Sequence, residues 1–81
     1  MRYFFNIERD GRKLPDPEGG EFNSDVEAMS EARLVAREIM GRELLAGKAV
    51  QWRSRLEVLR SDDALIGSFS FLEALELPQD R

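Results

Sequence analysis

The sequence predicts an α+β domain: a two-layer sandwich with one long helix across one face of a small β-sheet, in the order β-β-α-β-β with a short C-terminal helical turn. Three observations predict it. Stretches near both ends of the chain alternate apolar and polar residues, as half-buried strands do. Between them runs a long segment of helical periodicity, opened by Ser24 and Glu27 at capping-box spacing. The helical stripe is mostly alanine while the strands hold the rings, so one layer supplies close approach and the other supplies volume.

Taken in order, "RYFFNIE" reads as a strand ending at the turn-forming pair Asp10-Gly11. Alternation puts Tyr3, Phe5 and Ile7 on one face and Arg2, Phe4, Asn6 and Glu8 on the other. In "RKLPDPEGGEF" two prolines withhold ladder donors, which predicts a loop with at most two short edge pairings, near Arg12 to Leu14 and at Glu21-Phe22.

The helix follows. Ser24 is its N-cap, with the Glu27 carboxylate expected back on the N-cap amide; Asp25 suits the positive end of the dipole, and Gly47 supplies the stop. Ala28, Ala32, Val35, Ala36, Ile39 and Ala46 make the core stripe, flanked by Met29 and Met40.

"QWRSRLEVLR" then alternates, with Trp52, Ser54, Leu56 and Val58 predicted toward the core and Arg53, Arg55 and Glu57 away from it. "SDD" turns the chain into "ALIGSFSF", where Leu65, Gly67, Phe69 and Phe71 are in phase. Ser70 and Glu73 repeat the capping spacing, and Pro78 is expected to close the last turn. If the first strand and the one after the helix are parallel neighbours, their crossover should be right-handed.

Length and composition bound the function. At 81 residues this is one domain, residues 1–81, small enough that a partner subunit is the expected supplement to its core. There is no cysteine and no histidine, which removes the commonest general base, metal ligand and sulfur nucleophile, so an enzyme is not expected. No apolar run spans a bilayer and no leader pattern opens the chain, which predicts a cytoplasmic protein without membrane contact. The net charge of −4 is distributed as −4 over residues 1–31, +4 over 32–60 and −4 over 61–81. Overall acidity argues against a dedicated DNA binder, while the basic middle leaves room for a local patch or for charge pairing between subunits.

Three clusters merit weighing. Asp16, Glu18 and Glu21 offer hard oxygen ligands, but their spacing is not that of a calcium loop, so they read as a solvated turn and no cofactor is expected. Phe4, Arg53 and Arg55 share the face away from the helix; an aromatic ring amid positive charge is how single-stranded nucleic acid is held. The plainer reading pairs those arginines with Glu57 and Glu8 and lays their stems over Phe4. Leu34, Gly41 and Leu45 form a narrow second stripe on the polar side of the helix, like a helix-helix seam with a small residue where backbones approach.

"RYFFN", "PDPEGGEF", "EARLVAREIM" and "FSFLEALEL" together resemble a family of small, uncharacterised proteobacterial proteins, common in rhizobia and relatives. Members are similar in an aromatic N-terminal strand, an Asp-x-Glu-Gly-x-Glu-like loop and an Ala-rich helix; Asp16, Glu18, Gly19 and Glu21 occupy the loop positions. The resemblance implies a bacterial cytoplasmic protein of shared architecture, and it implies no activity, cofactor or catalytic residue. The expected function is a small protein-interaction module that self-associates as a homodimer, through Leu34, Gly41 and Leu45 or through Phe4. The alternative is a nucleic-acid-binding or regulatory accessory protein using Phe4, Arg53 and Arg55.

Overall fold

The computed structural model describes residues 1–75. Its elements are β1 (Arg2–Arg9), β2 (Arg12–Leu14), β3 (Gly20–Glu21), α1 (Asp25–Leu45), β4 (Arg55–Arg60), β5 (Leu65–Ser70) and a 3-10 turn, Leu72–Ala74. The expected two-layer α+β architecture is present; the second edge pairing, at Gly20–Glu21 and so one residue earlier than expected, forms a strand of its own, so the sheet has five strands among the described residues.

The strand order is β2-β1-β4-β5, with β3 on the same edge of β1 as β2, and every pairing is antiparallel. β1 and β4 are therefore neighbours, but antiparallel ones, so the parallel crossover considered above does not occur. Asp10 and Gly11 both adopt positive φ, 51° and 75°, and join β1 to β2 as a two-residue hairpin in which Arg9 faces Arg12. A register shift between Val58 and Leu59 inserts a bulge into the β4–β5 pair.

The capping box forms with one displacement. Ser24 Oγ accepts from the Glu27 amide at 3.1 Å, while the Glu27 carboxylate accepts from Asn23, the residue before the N-cap, at 3.1 Å. At the other end Gly47 donates to Leu44 and Lys48 to Glu43, at 3.1 and 2.9 Å, the paired bonds of a Schellman stop. The second capping box is reciprocal: Glu73 N donates to Ser70 Oγ and Ser70 N to the Glu73 carboxylate. Pro78 lies outside the described residues.

The core lies where the alternation puts it, between α1 and one sheet face. Ala28, Ala32 and Ala36 are fully buried with Leu56, Val58 and Phe71, and Tyr3, Met40 and Phe69 nearly so. Phe5, Ile7, Val35 and Ile39 pack around them. Phe22, expected only as an edge residue, stacks on Phe5 with centroids 5.6 Å apart and meets Tyr3 edge-on at 5.9 Å.

Three core expectations are corrected. Ala46 is exposed because α1 ends at Leu45 and Ala46 is already its C-cap. Trp52 is 44% exposed: β4 begins only at Arg55, and the turn closed by Ser54 N on Gln51 O ends the alternation before reaching it. Leu65 is 57% exposed, because the bulge adds a residue and reverses phase, and Ile66 packs inward in its place.

Candidate interaction surface

The acidic loop serves the sheet. Between β2 and β3 the chain leaves the edge of β1, and Asp16, placed between two prolines, fills the gap with its side chain. Its Oδ2 accepts from Phe5 N at 3.1 Å and its Oδ1 from Gly19 N at 3.1 Å, while Asp16 N donates to Asn6 Oδ1 at 2.9 Å. Glu21 turns instead to Arg2, at 3.2 Å, and to the N-terminal amine, at 3.3 Å. These carboxylates do not converge, and among the described residues no acidic cluster could hold a metal ion.

The same loop answers where Phe4 goes. Gly19 has φ +69°, and a Cβ built on it would stand 2.6 Å from the Tyr3 carbonyl oxygen and 2.9 Å from ring carbons of Phe4. The bare glycine is thus what lets the loop lie against the Phe4 ring, which is half-buried and outside the helix-facing core. Phe4 does occupy the second face, but its own chain covers part of it.

The structure does not bring Phe4, Arg53 and Arg55 together. Phe4 pairs with Leu59, whereas Arg55 pairs with Glu8, four residues further along β1 or about 13 Å at strand rise. Arg55 lies 4.0 Å from Glu73 and donates to Ser68 Oγ at 3.3 Å. Arg53 is off the sheet, in the loop, with its guanidinium 4.7 Å from the Trp52 ring. Arg55 faces Glu8 across the strands, but among the described residues no ion pair joins Arg53 or Arg55 to Glu8 or Glu57; Glu57 instead lies 3.9 Å from Lys13.

Charged groups fix α1 to the sheet at both ends. At its start, Tyr3 Oη donates to Asp25 Oδ1 at 2.6 Å; Arg60 Nη1 reaches both Asp25 oxygens at 3.2 and 3.1 Å while its Nε and Nη2 hold Asp62, each at 3.0 Å. The Tyr3 hydroxyl bond, then the Arg60 bond and charge, hold the Asp25 carboxyl below the ordinary range against the opposing pull of burial. The same bond to Asp25 raises Tyr3. Asp62 is lowered chiefly by Arg60, and Arg60 is raised by Asp62 and Asp25.

Near its C-terminus, Arg9 Nη1 meets Glu43 at 2.8 Å, and the Arg9 guanidinium lies 5.4 Å from the Phe71 ring. Burial works against the Glu43 charge, but the Arg9 bond and the Gln51 amide prevail and lower it. Arg9 Nε and Nη2 are buried with no hydrogen-bond partner among the described residues. Arg37 Nε donates to Ala74 O at 2.8 Å and ties the helix to the 3-10 turn.

The opposite face of α1 carries the predicted stripe. Leu34 is 47% and Leu45 90% exposed, and a Cβ at Gly41 would have no atom within 4 Å beyond the helix's own backbone. Sequence reasoning missed a second apolar surface, an open groove of about 350 Å³ lined by Met40, Val50, Trp52, Leu72 and Leu75. Its residues come from a loop, a helix and a turn, so no single periodicity marks it.

No helix among the described residues is long and apolar enough to cross a membrane. No curated protein and no solved structure matches the chain. A five-stranded antiparallel sheet under one long helix, with the acidic loop as a clamp on its first strand, is what this sequence builds over the matched region: residues 2–72 match the family described as a domain of unknown function (DUF6894), and the chain belongs to that family.

Proposed function

We propose that the domain is a non-catalytic protein-interaction module that self-associates through the solvent face of α1. One observation carries this reading: Leu34 and Leu45 stand exposed on the side of the helix away from the sheet, with Gly41 between them and open space over it. A glycine inside a helix costs about 1 kcal/mol relative to alanine, and among the described residues no neighbour requires it there. A partner helix packed over Gly41 accounts for it. The sheet face supports the reading less well, since Gly19 already lies against Phe4 and Arg53 and Arg55 lie away from it, engaged elsewhere.

Lack of histidine and cysteine supports a binding role over catalysis. The test is mass by sedimentation equilibrium from low to high micromolar protein. The wild type should shift toward a dimer, and the double change Leu34→Ala with Leu45→Ala should remain monomeric with its circular dichroism unchanged. A wild type that stays monomeric throughout, or a double variant that assembles as well as its parent, overturns the proposal.

A further inference from the structure

Resting on that reading, we infer that the partner is a second copy lying antiparallel, with a two-fold axis midway between Glu38 and Gly41. Leu34 of each copy then meets the partner's Leu45, and Glu38 of each reaches the partner's Arg42. The spacing from Leu34 to Glu38 to Gly41 to Leu45 is 4, 3 and 4 residues, the spacing of seam positions in paired helices. At about 100° per residue these four fall within roughly 60° of arc.

Charge decides the orientation. In a parallel pair each seam residue faces its own copy, so Glu38 would stand against the partner's Glu38 and glycine would face glycine, combining repulsion with a gap. In an antiparallel pair the layers are staggered: leucine meets leucine at both ends, and Glu38 crosses over the partner's Gly41. The missing Cβ gives room for the Glu38 stem. Arg42, one residue further along and on the same flank, then receives the carboxylate. Both Glu38 and Arg42 are exposed, and neither takes part in an ion pair among the described residues. Two such pairs form per dimer, and antiparallel alignment also sets the helix dipoles favourably.

The seam covers about 16 Å of helix axis, which places the buried area at the low end of specific interfaces, below about 1,200 Å². Weak, reversible association in the high micromolar range is the consequence.

The absence of cysteine makes the test direct. Leu34→Cys and Leu45→Cys proteins are oxidised mildly, each alone and as an equimolar mixture. The expected result is a disulfide-linked heterodimer from the mixture and little product from either alone. Efficient homodimers from each alone would mean a parallel pair and overturn the orientation while leaving self-association intact. No product in any combination, with a dimeric wild type by mass, would place the interface elsewhere; a monomeric wild type would instead remove the reading beneath. A second measurement uses charge without touching the leucines. Glu38→Arg and Arg42→Glu should each weaken association about tenfold, and the two together should restore it. Absence of restoration counts against the crossed pairs.

Discussion

The two faces of α1 invert the usual distribution of size. Its buried face is centred on Ala28, Ala32 and Ala36, with Met40, Val35 and Ile39 around them, while leucines at 34, 44 and 45 stand at its surface. Along the alanines the inner face gains proximity, letting Phe69, Phe71, Leu56 and Val58 fill the space between layers. The outer face has apolar area without a partner among the described residues. Smallness on one side thus serves a contact already made, while bulk on the other stands exposed.

The largest effect that would test this contrast comes from exchanging the two sizes. Ala32 has no exposed surface, so Ala32→Leu must push the helix off the sheet or force rotamers, and should destabilise by about 1–3 kcal/mol. The exposed Leu34→Ala change should stay within about 0.5 kcal/mol. Urea midpoints of both monomers, taken at low concentration, decide it. Comparable losses from the two would mean that the faces are not distinct.

A smaller effect, of opposite sign for folding and for assembly, is expected at Gly41. With open space over the position, Gly41→Ala should raise monomer stability by about 1 kcal/mol. The added methyl also narrows the path for the partner's Glu38, so the dimer should weaken. A variant less stable than wild type in dilute urea titrations would show that the fold itself needs this glycine.

How much of this could be read from the sequence depends on how local the cause was. The start and stop of α1 follow from Ser24, Glu27 and Gly47, and the inward residues of β1 and early β4 from alternation, because each rule acts within a few residues. Trp52 and Leu65 escaped because alternation was carried across a turn and a bulge, and one irregular residue reverses everything beyond it. Asp16 escaped for a different reason. Its carboxylate stands in for a missing ladder to Phe5, eleven residues away, and the only local hint was an acid between two prolines. That Leu34, Gly41 and Leu45 lie away from the core was legible because helix geometry alone separates those positions. The groove around Trp52 joins three separate segments and was not.

The smallest effect concerns what holds the inner face in place, and its sign follows from the Asp25 cluster. Asp25 and Asp62 are both held below the ordinary carboxylate range in the folded protein, by the Tyr3 hydroxyl and Arg60 for the first and mainly by Arg60 for the second. A carboxyl with a lowered folded-state value binds protons more weakly than in the unfolded chain, so acid favours unfolding. The contribution is complete above the unfolded-state value of about 4 and disappears as pH falls through the lower folded-state values. Asp25→Asn keeps an oxygen for Tyr3 but removes the charge facing Arg60. The variant should therefore be less stable than wild type at neutral pH, with the gap between their urea midpoints closing as pH falls below 4 and shrinking in high salt. If the gap persisted undiminished in acid, Asp25 would be acting through shape at the start of the helix, and the seating of α1 on its sheet would owe nothing to ionisation there.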